Sequence, residues 1–152
     1  MKTQSTINFV KELTLQALVN DGWDTYLDGG YIIASREGVD KDLLICTTAR
    51  SLSKGNSVET TPVNCSFGKV NKMIQYLDTI ENDCIPCIAF GIIKYTIDDF
   101  EISIIPVSAI EEFSKPGSVY SVASSKYYYN FAKIESGKLP PNAILRKQWN
   151  KI

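Results

Sequence analysis

A chain of 152 residues, 44% apolar and 22% charged, is long enough to build one core without disulfides or structural metal. It contains no histidine, which excludes Ser-His-Asp and Cys-His catalysis and removes the commonest zinc ligand. The net charge of −1 conceals a split. Residues 1–113 carry nine Lys/Arg against sixteen Asp/Glu, and residues 114–152 carry seven cations against Glu135 alone. That split points either to an anionic partner for the C-terminal quarter or to a basic tail docked on its own acidic domain.

No apolar run approaches the roughly eighteen residues a membrane span needs, so no membrane partner is expected. The polar opening Met1–Thr6 lacks the apolar core of a secretory signal. A cytoplasmic protein is therefore expected, with Cys46, Cys65, Cys84 and Cys87 as reduced thiols.

Ser5 and Thr6 predict the cap of a helix running to about Asn20, with Ile7, Val10, Leu13, Ala17 and Leu18 on one face. Asn20-Asp21-Gly22 closes it. Glu12, the one acid inside this helix, borders the apolar stripe. Trp23 to Leu27 reads as a first strand, Asp28-Gly29-Gly30 as a hairpin turn, and Tyr31 to Ser35 as a second strand. The charged turn Asp40-Lys41-Asp42 then feeds a third strand, Asp42 to Ala49, rich in β-branched residues. A polar loop from Arg50 to Ser57 follows, and Val58 to Thr61 reads as a short strand before Pro62.

Ser66 starts a second long helix, expected to about Asn82, whose buried stripe is Val70, Met73, Ile74, Leu77 and Ile80. Lys69, Lys72 and Gln75 lie off that stripe. Cys84 to Ile93 is almost wholly apolar, as befits a central strand covered on both faces, and Phe100 to Val107 is its expected neighbour. Ser108-Ala109-Ile110-Glu111 reads as a capping box opening a short helix. Val119–Ser124 and Lys126–Phe131 read as a late hairpin or two extended pieces, and Asn142 as the cap of a last helix from Ala143 to about Lys151. The order predicts an α/β domain with a single mixed central sheet flanked by two main helices. Residues 1–113 would form its core and 114–152 a basic, aromatic extension.

Three kinds of site chemistry are testable on these residues. Cys84-Ile85-Pro86-Cys87 has CxxC spacing, but zinc would need both Cys46 and Cys65 as well. A redox CxxC belongs at a helix N-terminus, whereas this one opens a strand, so buried structural thiols are expected. No glycine-rich phosphate loop is present, so no nucleotide cofactor is expected. Cations interleave with aromatics at Lys126, Tyr127, Tyr129 and Lys133, and again at Arg146, Lys147 and Trp149. These would pair with phosphates and stack on unpaired bases. Alternatively, the alternate tyrosines pack in the core while the lysines keep an edge strand soluble.

The remaining constellation is carboxylate-based. A helix with an edge glutamate at Glu12, a strand headed by aspartate in Asp42-Leu43-Leu44-Ile45, and a second acidic strand residue resemble the PD-(D/E)XK nuclease superfamily. The nearest types are the archaeal Holliday-junction resolvases and the small group I intron homing endonucleases of that fold. The likeness covers about residues 5–112 and rests more on element order than on motifs. It implies a restriction-endonuclease-like fold and a Mg²⁺-dependent endonuclease that binds DNA and works as a homodimer. Glu12 would support the site, and a second acid would be followed, after one residue, by a lysine.

Two alignments of that last element stand open. In one, Val58-Glu59-Thr60-Thr61 supplies Glu59 as the second acid, with Thr61 in the lysine's place. In the other, Ile45 to Arg50 is itself the strand, and Ile45 and Thr47 replace both polar ligands. The first lets Asp42 and Glu59 hold Mg²⁺, which would polarise the scissile phosphate and acidify the attacking water. The second leaves no metal site. The motif lysine is absent from both, and Lys69 or Lys72 on the following helix would have to supply its charge. A scaffold without the site would be a catalytically inactive DNA-binding subunit or an inhibitor or immunity-type partner.

Overall fold

The computed structural model describes residues 2–52, 62–94, 99–134 and 139–148, with side chains from residue 6 onward. Helix α1 spans Lys2–Asn20 and is followed by strands β1 (Asp24–Asp28), β2 (Tyr31–Ser35) and β3 (Asp42–Leu52). Strand β4 (Val63–Ser66) leads directly into α2 (Phe67–Leu77), then β5 (Cys84–Lys94) and β6 (Phe100–Pro106). After α3 (Val107–Phe113) come β7 (Tyr120–Ala123), β8 (Lys126–Tyr129), a single 3-10 turn at Phe131–Lys133, and β9 (Leu145–Gln148).

Six strands form a mixed sheet in the order β1-β2-β3-β5-β6-β9. The first three are an antiparallel meander, and β3 runs parallel to β5 from Asp42↔Cys84 to Leu52↔Lys94. The outer pairs β5–β6 and β6–β9 are antiparallel. The period of two sorts the side chains between faces. Ile32, Ile45, Cys87, Ala89, Ile102 and Ile104 pack under Val10, Leu13 and Leu18 of α1. Ile33, Leu44, Cys46, Ile88, Phe90 and Ile92 face the other way, onto Val70 and Met73 of α2. The two main helices thus cover opposite faces, and β5 is buried on both, as its unbroken apolar run predicts. Helix α1 sits close against the sheet because Gly91 has no side chain there. A Cβ at Gly91 would fall 2.5 Å from Val10 Cγ1.

Several expectations are corrected. The sheet is not single: β4, β8 and β7 form a second, three-stranded antiparallel sheet on the α2 side, with Ser66↔Lys126 and Val63↔Tyr129 in register. The expected last helix is instead strand β9, preceded by Asn142 in a left-handed conformation (φ 56°). The strand wins because alternation sends Arg146 and Gln148 together onto the buried Glu101, at 2.7 Å each. The capping box does not form. Ser108 lies inside α3, Pro106 occupies the N-cap without a side-chain bond, and Glu111 accepts from the Tyr127 hydroxyl at 3.5 Å. Helix α2 does begin as expected, with Ser66 Oγ accepting from the Lys69 amide at 3.1 Å, but it ends at Leu77 rather than near Asn82. Strand β3 continues through Leu52, where a loop was expected from Arg50. The strand expected at Val58–Thr61 lies outside the described residues.

Candidate functional site

Asp42 heads β3, as its sequence position suggests. Its amide donates to the Asp83 carbonyl at 3.2 Å, and its carboxylate accepts from Asn82 Nδ2 at 2.9 Å. Glu12 is exposed on α1. Glu59 lies outside the described residues. Lys69 is placed elsewhere: its ammonium donates to the Thr47 carbonyl. Thr47 is five residues along β3 from Asp42, roughly 16 Å at the rise of an extended strand. No single phosphate bridges that gap, so the proposed pairing of Asp42 with Lys69 is not assembled. Strand β3 takes in Ile45 to Arg50, the strand of the second alignment, with Ile45 and Thr47 both buried. Among the described residues, no group of three or more His, Cys, Asp or Glu side chains converges to hold a metal ion.

The expected aromatic grip is also corrected. Tyr129 is 0% exposed: its ring stacks on Phe90 at 5.1 Å, and its hydroxyl donates to Ser103 Oγ at 2.7 Å. Tyr127 is 7% exposed, with its ring 4.8 Å from that of Phe67. Neither ring has a face free for a base. Arg146 lies with its Nε 2.7 Å from Glu101 Oε2, and Lys94 Nζ meets the other carboxylate oxygen at 3.1 Å. Lys126, Lys133 and Lys147 are exposed, and Trp149 lies outside the described residues.

The fold builds a different site where α1, the β1–β2 turn, β3 and α2 meet. A depression of about 240 Å³ is lined by Ile7 and Lys11 of α1, Gly30 and Tyr31, Cys46 and Thr47, and Lys69. Lys11 Nζ donates to the Gly30 carbonyl at 3.0 Å, so each lysine is held by a neutral backbone oxygen. Among the described residues the lining contains no carboxylate. Lys72 is exposed one turn beyond Lys69, and Lys126 stands opposite Ser66, the residue that caps α2. Four cations thus gather around the N-terminal end of α2, where the helix dipole adds to their positive field.

An aromatic edge adjoins this depression. Tyr31 and Tyr76 have ring centroids 5.2 Å apart, and the Tyr76 hydroxyl donates to Asp28. Tyr26 lies on the same face of β1 as Asp28 and is 48% exposed. The Asp28 carboxylate, with desolvation second, pushes the Tyr76 hydroxyl above its usual value. Gly29 makes this contact possible, because a Cβ there would overlap the Tyr76 ring.

Sequence reasoning missed Lys11, Tyr31 and the tyrosine edge. The available signal was spacing along α2: Lys69, Met73 and Tyr76 fall on one helical stripe, so whatever lies beside Met73 in the core has Lys69 and Tyr76 at either end.

The thiols divide into two kinds. Cys46 and Cys65 lie side by side in one apolar cluster. The neighbouring Cys65 thiol, with burial second, raises the Cys46 thiol well above its ordinary value. The Cys46 thiol and the charge of Lys69 hold Cys65 below its ordinary value against the opposing effect of desolvation. Cys84 and Cys87 are both raised, chiefly by burial. The CxxC pair therefore behaves as the structural thiols expected.

Neither protein-family models nor curated proteins provide a match to this chain.

Proposed function

We propose that this protein binds DNA at the Lys11–Lys69 depression and does not hydrolyse it, on a scaffold of the restriction-endonuclease-like kind. The single observation that carries the reading is the charge of the described lining residues: two ammonium groups and no carboxylate. Phosphodiester cleavage by a metal needs acidic ligands beside the scissile phosphate, to hold the ion that activates water. Lysines alone attract the phosphate as strongly before the reaction as during it, which gives binding without acceleration. The scaffold part of the proposal draws support from element order: a helix, a three-strand meander, a second helix on the opposite face, then a strand parallel to the third.

Tyr26, Tyr31 and Tyr76 favour DNA that offers unpaired bases, since a base stacked on an exposed aromatic edge contributes about 1–3 kcal/mol. The test is fluorescence anisotropy with single-stranded, branched and duplex DNA across a salt series, with cleavage monitored in Mg²⁺ or Mn²⁺ beside a chelator control. The expected result is salt-sensitive binding, tightest to single-stranded or branched DNA, with no product. Lys69→Ala should lower the slope of log K against log salt by about 0.7, the contribution of one single-strand phosphate contact. Metal-dependent nicking abolished by Asp42→Ala would restore the hydrolytic reading. Absence of any salt-sensitive binding would overturn both.

A further inference from the structure

We propose that Cys46 and Cys65 are a redox-active pair, which a peroxide converts to a disulfide joining β3 to β4. The geometry begins with a crossing point. Thr48 Oγ1 donates to the Asn64 carbonyl at 2.8 Å, pinning β3 to β4. Cys46 lies two residues before Thr48, on the same face of β3, and Cys65 immediately follows Asn64. The two sulfurs therefore meet beside a fixed contact, in strands that belong to different sheets. With no backbone ladder between β3 and β4, the strands can close the short distance from thiol contact to an S–S bond without breaking a sheet.

Two further features separate this pair from ordinary buried cysteines. Cys46 and Lys69 both line the depression, so a molecule as small as hydrogen peroxide has a route to the Cys46 sulfur. The Lys69 ammonium, held at the carbonyl of the residue after Cys46, stands next to the pair and favours a thiolate on either sulfur. Cys84 and Cys87 supply an internal contrast. Cys87 sits under α1 in the apolar layer with its thiol aimed at the Ile85 carbonyl, 3.5 Å away, and Cys84 has the carboxylates of Asp42 and Asp83 as its charged neighbours. Both settings oppose a thiolate.

The chemistry balances with one peroxide. One thiolate of the pair attacks one peroxide oxygen, the O–O bond breaks, and the leaving hydroxide is protonated to water, leaving a sulfenic acid on that sulfur. The second sulfur then attacks the first, the S–O bond breaks, and hydroxide departs with the second thiol's proton as a second water. Two thiols are oxidised and one peroxide is reduced. Lys69 is a positioning residue here: it steadies the thiolate and touches no reacting oxygen. The pair stands whether or not the depression binds DNA.

The deciding experiment treats the folded full chain with hydrogen peroxide, alkylates the remaining thiols and maps them by mass spectrometry. We expect the loss of two hydrogens, with Cys46 and Cys65 protected as one disulfide-linked peptide pair, Cys84 and Cys87 still alkylated, and full reversal by a thiol reductant. Cys46→Ser and Cys65→Ser should each abolish the disulfide, and at least one of them should accumulate on its remaining cysteine of the pair a sulfenic acid that dimedone traps. Lys69→Met should slow oxidation several-fold while Lys115→Met, at an exposed lysine outside the depression, leaves it unchanged, a difference that a merely structural lysine would not produce. If peroxide leaves all four thiols free, or oxidises Cys84 and Cys87 as fast as the pair, the proposal is overturned. The mapping on unmodified protein decides this even if a serine variant misfolds.

Discussion

Arg146 is the residue on which sequence and structure disagree most usefully. Its place among lysines and aromatics suggests a phosphate contact, while its burial beside Glu101 makes it a structural ion. Glu101 is 1% exposed and Arg146 7%, so solvent screens their 2.7 Å contact little. Removing one partner of such a buried pair costs about 3–5 kcal/mol, mostly because the other charge is stranded. In Arg146→Ala, Lys94 still neutralises Glu101 from 3.1 Å, which places the expected loss near the lower end, about 3 kcal/mol. For a chain of this size each kcal/mol moves the melting point by about 2–4 °C, so Tm should fall by roughly 6–12 °C. The assay is thermal unfolding by circular dichroism, beside DNA titrations run well below the lower Tm. We expect the salt slope of DNA binding to stay at its wild-type value. Were Tm to hold steady while the slope fell by about one contact, Arg146 would be a phosphate ligand and not the ion that fastens β9 to the sheet. A triple replacement, Lys94→Met and Glu101→Met with Arg146→Met, should recover much of the loss, because apolar residues of similar volume leave no charge stranded.

Three other perturbations probe single contacts in the core. Gly91→Ala should cost about 1–3 kcal/mol by urea unfolding, because its Cβ would meet the stiff Val10 side chain at 2.5 Å, and Val10→Ala in the same chain should restore most of that loss. Tyr129 and Tyr120 are held above the ordinary tyrosine value, chiefly by burial, so the folded state keeps protons that the unfolded state releases. Their contribution is fully present below about pH 10 and is lost as pH rises beyond it; Tyr129→Phe should flatten the decline in stability above about pH 10. At neutral pH the same variant should be destabilised by roughly 1 kcal/mol, because Ser103 loses its buried donor.

Much of the six-stranded sheet was legible because its signals are local. The unbroken apolar run of β5 follows from two covered faces, and the Ser66 cap is a side-chain bond to an amide three residues away. The Gly29-Gly30 turn needs positive φ at both residues, 61° and 88°, which only glycine adopts freely. What was missed depends on partners distant in the chain. Leu145-Arg146-Lys147-Gln148 is too short and too polar to declare a strand, and Glu101, far upstream, decides its conformation. Val63–Ser66 becomes a strand only because Lys126–Tyr129 pairs with it, creating the second sheet. The candidate site fared the same way. Glu12 drew notice as a lone acid, yet its neighbour Lys11, turned about 100° around the helix, is the residue that reaches the Gly30 carbonyl.

The charge split reads differently once the strands are placed. The basic C-terminal quarter is partly consumed inside the fold, since Arg146 and Lys94 enclose an acid that could not remain buried alone. That internal use answers for one cation of the seven and leaves the exposed ones to be sorted by place. Lys147 is on β9, the outermost strand at one edge of the six-stranded sheet, where a lysine also discourages edge-to-edge pairing. Lys126 has a different position, opposite the cap of α2, and joins Lys11, Lys69 and Lys72 from the acidic part of the chain. An anion would therefore be drawn not to the basic tail as such but to the depression whose described lining holds two lysines and no carboxylate. The field there is assembled by topology, from residues whose local sequence is net acidic.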